Sequence, residues 1–384
     1  MFPEKLYIKL NDRKATNALR QLVSGSGLVD FSSNDYLGFS NSEDIFNKTH
    51  LFLEEQNLTK NGATGSRLLT GNHNLYDVVE KMLCDFHKSE AALIFNSGYD
   101  ANVGFFSCVP QRGDVVLYDE YIHASIRDGM TMGNAKTYKF RHNDLDDLNK
   151  KCQTERNRSQ DANIFIVTES IFSMDGDSPN LKKLSKCCNE FNAYLVVDEA
   201  HAVGVLGVDA KGLVQHFDLE REVFARIITF GKAMGCHGAA ILGSQLLRDY
   251  LLNFSRSFIY TTALPQHSLA TVKNAYEALA SDDGIKKNQD LLNNIVFFKT
   301  EMKRLGLEQN FIESNSAIQS MVIQGNDCVK RLSTELMRAG FNLKPILSPT
   351  VPKNQERLRF CLHAFNTKAE ISGVLESLKK LTCQ

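Results

Sequence analysis

The sequence predicts an α/β protein: a large domain on a mainly parallel β-sheet covered on both faces, followed by a smaller α+β domain at the C-terminus. Three observations predict it. Short, continuous apolar runs recur between residues 91 and 244 with helical or loop-like stretches between most of them, and such runs suit strands buried on both faces. Near residue 265 a long stretch with helical spacing replaces that alternation. The length, 384 residues, exceeds that of a typical single domain.

The elements follow in order. The opening MFPEKLYIKLNDRKATNALRQL alternates charged and apolar residues at helical spacing. Strands are expected at AALIF from Ala91, DVVLY from Asp114, KTYKF from Lys136, NIFIVTES from Asn163, AYLVVDEA from Ala193, ARIITF from Ala225 and GAAILGS from Gly238. Only GKAMGCH separates the last two, and a parallel crossover needs about a dozen residues. Those strands should therefore run antiparallel or lie apart, with Lys232 at the turn between them. Helical spacing continues to about residue 306, followed by AIQSMVI, a helix near 327–339, GFNLKPI, RLRFCLH and a last helix from 367. No internal repeat or low-complexity linker marks a boundary, so the changes of pattern set them: an N-terminal segment 1–40, a large domain 41–265 and a small domain 266–384.

With 43% hydrophobic and 23% charged residues, the composition is that of an ordinary soluble globule. A formal net charge of −1 without a basic run provides no electrostatic case for nucleic acid or an anionic membrane. The first residues lack the uninterrupted apolar core of a signal peptide, and no run approaches the length of a spanning helix, so a cytosolic location is expected. The nine cysteines show no CxxC spacing, and Cys187 and Cys188 are adjacent; buried reduced thiols, rather than a disulfide framework or a metal site, are expected.

The chemistry centres on Lys232. Thirty-four residues before it, Asp198 ends an apolar run and His201 follows three residues later. A lysine at a turn, an aspartate shortly before a histidine and a glycine-bounded loop upstream suggest a carbonyl cofactor held as a Schiff base, namely pyridoxal phosphate. A buried ionised carboxylate needs a cation or hydrogen-bond donor. For Asp198 two readings stand, a helix cap or salt bridge, or partnership with a protonated pyridine nitrogen that keeps the ring an electron sink. His201 is either a satisfied histidine or, across a tight turn, a member of the same cavity. DEAH also occurs in nucleotide hydrolases, but that reading needs GxxxxGK followed by Ser or Thr; GATGSRLLTGN has no lysine, and the GK at Gly231 precedes Ala233.

In FNSGYDANVG a strand stops and a helix should begin near Tyr99. Gly98 would allow close approach, Ser97 would add a hydroxyl, and the amides of a helix start attract phosphate; an ordinary strand-to-helix turn is the other reading. His123 in YDEYIHASIRDG is either a flat platform for a planar ring or a surface turn residue. Glu169 and Ser173 flank a strand end. Glu169, Asp198 and Lys232 all fall beyond the carboxyl ends of strands, where open parallel sheets bind ligands.

With its motifs in this order the chain resembles the α-oxoamine synthases, fold-type I pyridoxal phosphate enzymes. FSSNDYLGFS at 31, GATGSRLLTGNHNLYDVVE at 62, FNSGYDAN at 95, DEYIHASIRDG at 119, VTESIFSMDGDSPNL at 167, VVDEAHAVGVLG at 196, TFGKAMGCHGAA at 229, FIYTT at 258 and PTVPKNQERLRF at 349 carry the resemblance. It implies that Lys232 holds the cofactor and moves the substrate α-proton, that Asp198 partners the pyridine nitrogen, that His201 bonds the ring phenolic oxygen and that His123 stacks on the ring. It implies that Ser97, Gly98, Tyr99 and Thr229 surround the phosphate, with Thr261 and Thr262 reaching it from a neighbouring subunit of a homodimer. Glu169 and Ser173 match positions beside the ring, Asn34 one at the site mouth, and Arg359 the arginine that grips the amino-acid carboxylate, a task suited to a planar fork. Arg20 falls where related enzymes place an arginine near the active-site entrance.

Among these enzymes the chain is most like the branch that condenses L-alanine with a pimeloyl thioester, such as pimeloyl-coenzyme A, in biotin synthesis. Many members of that branch have an arginine two residues before PTVP, where this chain has Leu347. DEAHAVG is shared with glycine-using relatives, so glycine with another acyl-coenzyme A stays open as an alternative, as does a non-catalytic scaffold.

Overall fold

The computed structural model describes residues 2–20, 22 and 27–382. The chain divides into two compact units, the larger made of Asp35–Ser173 and Ser178–Asn288, the smaller of Met1–Asn34, Met174–Asp177 and Gln289–Gln384.

All seven expected runs of the larger unit form strands: β1 (Ala91–Phe95), β2 (Val115–Asp119), β3 (Lys136–Phe140), β4 (Ile164–Glu169), β5 (Tyr194–Asp198), β6 (Val223–Thr229) and β7 (Ala239–Gly243). Their order is β1-β7-β6-β5-β4-β2-β3. β7 runs antiparallel to both neighbours and the remaining pairs are parallel. The short β6–β7 connection thus closes a hairpin, with Thr229 opposite Ala239. β3 lies at an edge and is exposed except at Phe140; Lys136 and Lys139 there discourage pairing with another chain.

One face of the sheet buries Leu93, Phe95, Val116, Val167, Val196, Ile227 and Ile241 with Phe105, Phe106, Ile126 and Leu251 from helices Gly98–Cys108, Ala124–Met132 and Gln245–Phe254. Each such large apolar side chain contributes about 1.5–3 kcal/mol of burial free energy. Because β2, β4, β5 and β6 run in one direction, Asp119, Glu169, Asp198 and Thr229 all finish at the same edge of the sheet.

The units are cut differently from the expected domains. Helix Gln266–Leu279 belongs to the larger unit, burying Leu269, Val272, Ala275, Tyr276 and Leu279, and Tyr276 Oη lies 3.0 Å from His87 Nε2. The change of pattern near 265 marks the end of the sheet, whereas helices that pack around the sheet continue beyond it. Similarly, Val29–Asp30 pairs in parallel with Phe341–Asn342, so the N-terminal segment joins the smaller unit.

That unit is built on an antiparallel sheet of β8 (Ile318–Val322), β9 (Pro345–Ile346) and β10 (Arg357–Cys361), with β10 in the middle. Helices Asn326–Arg338 and Lys368–Thr382 bury Val329, Leu332, Leu336, Ile371, Val374, Leu375 and Leu378. Phe298, Phe311 and Phe360 pack mutually with ring centroids 5.4–5.8 Å apart. Among the described residues no helix is long and apolar enough to cross a membrane.

Candidate active site

β5 delivers Asp198 to the carboxyl edge almost fully buried. Its Oδ1 accepts the peptide N–H of Ala200 at 2.9 Å and its Oδ2 the amide of Asn102 at 2.9 Å, so both oxygens of the buried carboxyl group are satisfied. Glu199, next in sequence, serves another purpose. Its carboxylate accepts from Leu213 N at 2.7 Å, Val214 N at 3.0 Å, and Arg226 Nε and Nη2 at 2.9 and 2.6 Å. In DEAH, then, Asp198 faces the cluster and Glu199 ties down the loop that follows. His201 is buried, and its Nδ1 lies 2.7 Å from Tyr36 Oη.

Glu169 stands in register with Asp198 on the adjacent parallel strand, so both side chains project from the same face. It is buried, and among the described residues its Oε1 has no hydrogen-bond partner. Removal from water, followed by the nearby charge of Asp198, pushes its carboxyl up to about 8, against the opposing pull of Lys232 and of the peptide N–H groups of His123 and Ser173. His123 caps helix Ala124–Met132: its Nδ1 accepts from Ser125 N at 3.3 Å and lies 2.7 Å from Ser125 Oγ. His123 is exposed, yet the protein packed around it and the charge of Lys232 hold it below the usual histidine range, with Asp198 pulling the other way. Lys232 is therefore felt at both Glu169 and His123. Its turn is closed by Gly235 N to Lys232 O at 2.8 Å and Cys236 N to Phe230 O at 2.7 Å. Gly235 has φ +62°, and a Cβ there would lie 2.3 Å from Ser40 N.

At the end of β1, helix Gly98–Cys108 starts one residue earlier than expected, with Ser97 as its cap. The Ser97 hydroxyl accepts from Asp100 N at 3.0 Å and donates to Asp100 Oδ2 at 2.8 Å, so it is engaged in holding the helix start. A Cβ on Gly98 would meet Thr229 Cγ2 at 2.6 Å; glycine alone lets the two segments approach this closely. Among the described residues the buried Thr229 Oγ1 has no hydrogen-bond partner. Helix-start amides beside an unsatisfied buried hydroxyl fit a phosphate, and Asp198 with Lys232 fits the ring and aldehyde of pyridoxal phosphate. Tyr99 is half exposed and donates through Oη to Asp128 at 2.8 Å. Thr261 and Thr262 lie beside Asn96 of their own chain, which donates to Thr261 Oγ1 at 3.0 Å and Thr262 O at 2.7 Å.

In the smaller unit Arg359 Nη2 donates to Asn34 Oδ1 at 2.8 Å, pairing two expected substrate residues, and Arg20 Nη2 lies 3.5 Å from the exposed Thr350 Oγ1 of the PTVP segment. Sequence reasoning missed Tyr36, Asn102 and Ser125. An asparagine inside the apolar helix face ANVGFF was the available signal for Asn102; nothing local distinguishes Tyr36 within FSSNDYLG as the partner of a histidine 165 residues away.

The aminotransferase class I and II family model matches residues 26–378. The chain is 40% identical to an 8-amino-7-oxononanoate synthase of Emericella nidulans over 96% of its own length and 92% of the relative's. The chain belongs to the class I and II aminotransferases, in their α-oxoamine synthase branch. Solved relatives of this α-oxoamine synthase include the 8-amino-7-oxononanoate synthase of Francisella tularensis, at 28% identity and TM-score 0.77, covering 93% of this chain and 98% of that one. Serine palmitoyltransferase from S. paucimobilis, at 25% identity, superposes with TM-score 0.88 over 99% of this chain and 97% of that one.

Proposed function

We propose that this α-oxoamine synthase is a pyridoxal phosphate-dependent acyltransferase that condenses L-alanine with a pimeloyl thioester, on coenzyme A or a carrier protein. The products are 8-amino-7-oxononanoate for biotin synthesis, carbon dioxide and the free thiol. One observation carries the reading: Glu169 and Asp198 stand in register at the carboxyl edge of the sheet, and Asp198 is linked through Asn102 and Ser125 to His123, in a chain 40% identical to an 8-amino-7-oxononanoate synthase.

When bound, pyridoxal phosphate supplies an aldehyde that condenses with amines and a pyridinium ring that accepts electron density from a carbanion. The helix-start amides of Gly98 and Tyr99 and the Thr229 hydroxyl hold the phosphate. Asp198, its oxygens held by Asn102 and Ala200, would hold the proton on the ring nitrogen, and His201, placed by Tyr36, would hold the phenolic oxygen. His123 covers the ring face, with Glu169 and Ser173 beside it. Arg359 orients the alanine carboxylate. Lys232 is the amine that would hold the aldehyde, and its Nζ would take the proton from the alanine Cα and return one to the same carbon, as a positioned base and acid.

Exposed Leu68, Leu69 and Tyr260 lie in segments joined by the Ala263 N to Gly65 O hydrogen bond. Such an apolar patch next to Thr261 and Thr262 supports a homodimer in which a second copy covers it. The eight described cysteines are all free, which suits a reducing, cytosolic compartment. A second reading, serine with a palmitoyl thioester, is favoured by the closer superposition on serine palmitoyltransferase. The test is product formation by the purified, cofactor-loaded enzyme with alanine, glycine or serine, each paired with pimeloyl-, acetyl- or palmitoyl-coenzyme A. Turnover of alanine with the pimeloyl thioester supports the proposal; turnover confined to glycine or serine overturns it.

A further inference from the structure

A chain of hydrogen bonds runs from Asp198 to His123 through two side chains to which the reaction above gives no step. Asn102 Nδ2 donates to Asp198 Oδ2 at 2.9 Å and to Ser125 Oγ at 3.1 Å, so both hydrogens of its amide are directed. The flipped amide would turn an oxygen toward the carboxylate, which fixes the orientation. Ser125 Oγ receives a hydrogen from Asn102 and lies 2.7 Å from His123 Nδ1, which puts its own hydrogen within reach of that nitrogen. The same nitrogen accepts from the peptide N–H of Ser125 at 3.3 Å, and a peptide nitrogen can only donate. Nδ1 thus faces two donors and carries no hydrogen of its own. Asn102 and Ser125 are buried at 2% and 0% exposure, so water does not compete for the bond between them, whereas His123 is exposed.

We propose that Asn102 and Ser125 are positioning residues that lock His123 in the neutral form with its hydrogen on Nε2 and tie its ring to Asp198. The inference rests on the reading that His123 covers a bound cofactor. In the locked form the ring would meet a planar cation without adding a second positive charge, and Nε2 would be left as a donor. Separately, burial and the charge of Lys232 lower the proton affinity of His123. The link also makes the histidine and the ring-nitrogen carboxylate respond together: a shift of Asn102 disturbs both.

The experiment is ¹⁵N NMR of histidine-labelled, pyridoxal phosphate-loaded protein at neutral pH, with the His123 signals assigned by their loss in His123→Asn. The native protein should show an unprotonated Nδ1 and a protonated Nε2. Ser125→Ala, which removes only the hydroxyl donor, should move the signals toward a tautomer mixture and lower kcat by up to about 100-fold, the loss that follows from a small misplacement of a reacting group. Ser125→Thr, which restores the hydroxyl, should restore the native tautomer. Asn102→Ala should disturb the tautomer and also shift the absorbance of the bound cofactor, because Asp198 loses a donor. Ser125→Ala keeps the test available where Asn102→Ala does not fold. A hydrogen on Nδ1 in the loaded native protein, or an unchanged tautomer in Ser125→Ala, overturns the inference while leaving the functional reading in place. Failure of the native protein to take up pyridoxal phosphate instead overturns that reading.

Discussion

Glu169 and Asp198 are register partners at the carboxyl ends of two neighbouring parallel strands, which sets two buried acids on one face of one cluster. Asp198 has a donor on each oxygen, whereas Oε1 of Glu169 has none among the described residues, and burial pushes Glu169 up to about 8. The folded chain therefore keeps a proton that the unfolded chain releases above about 4.5. By linkage this contribution to stability is present in full below that value and is lost as pH rises through about 8. Urea midpoints of the cofactor-free protein should fall between pH 5 and pH 8.5, and Glu169→Gln should flatten the fall; an equally steep fall in the variant would contradict the assignment.

Gly98 and Thr229 define the second prediction. Gly98→Ala places a methyl where Thr229 Cγ2 stands, and overpacking of this kind costs about 1–3 kcal/mol, or roughly 5- to 150-fold in pyridoxal phosphate affinity. Thr229→Ser deletes the obstructing methyl and keeps the hydroxyl. Fluorescence titration should thus show weak binding by Gly98→Ala and recovery in the double variant.

The Glu199–Arg226 pair is a matter of stability rather than chemistry. Both residues are buried, and the carboxylate also fastens Leu213 and Val214. Glu199→Ala leaves an uncompensated guanidinium and should destabilise the protein by about 3–5 kcal/mol, measured by chemical denaturation. A change below about 1 kcal/mol, the range of an exposed pair, would show that water reaches the site.

Arg359→Ala removes a forked donor proposed for the alanine carboxylate. A charge-assisted contact is worth about 1.5–3 kcal/mol, so the KM for alanine should rise roughly 10- to 150-fold, while that for the acyl donor changes little. Arg359→Lys should recover only part of the loss, because a point charge does not reproduce the fork. Steady-state kinetics with each substrate varied in turn decides it.

Much of the fold was legible because buried parallel strands leave continuous apolar runs: AALIF, IFIVTE and YLVVD each became a strand. The short GKAMGCH connection indicated the antiparallel pair by length alone. The boundary near 265 was less legible because helix Gln266–Leu279 carries the same amphipathic spacing whichever unit it packs on. Within the site, Asp198 and Lys232 could be placed at strand ends from local pattern. Their supporting partners could not: Tyr36 reaches His201 and Asn102 reaches Asp198 across 165 and 96 residues, and such pairings arise only when the sheet brings distant turns together. The engagement of the Ser97 hydroxyl with Asp100 likewise depends on the helix starting at Gly98.

In the proposed reaction Lys232 is the amine that bonds the cofactor aldehyde. Borohydride reduction of the pyridoxal phosphate-loaded protein, followed by digestion and mass spectrometry, tests it most directly. A phosphopyridoxyl mass is expected on the peptide containing Lys232 and none in Lys232→Ala. A label on another lysine, or equal labelling of the variant, would contradict it.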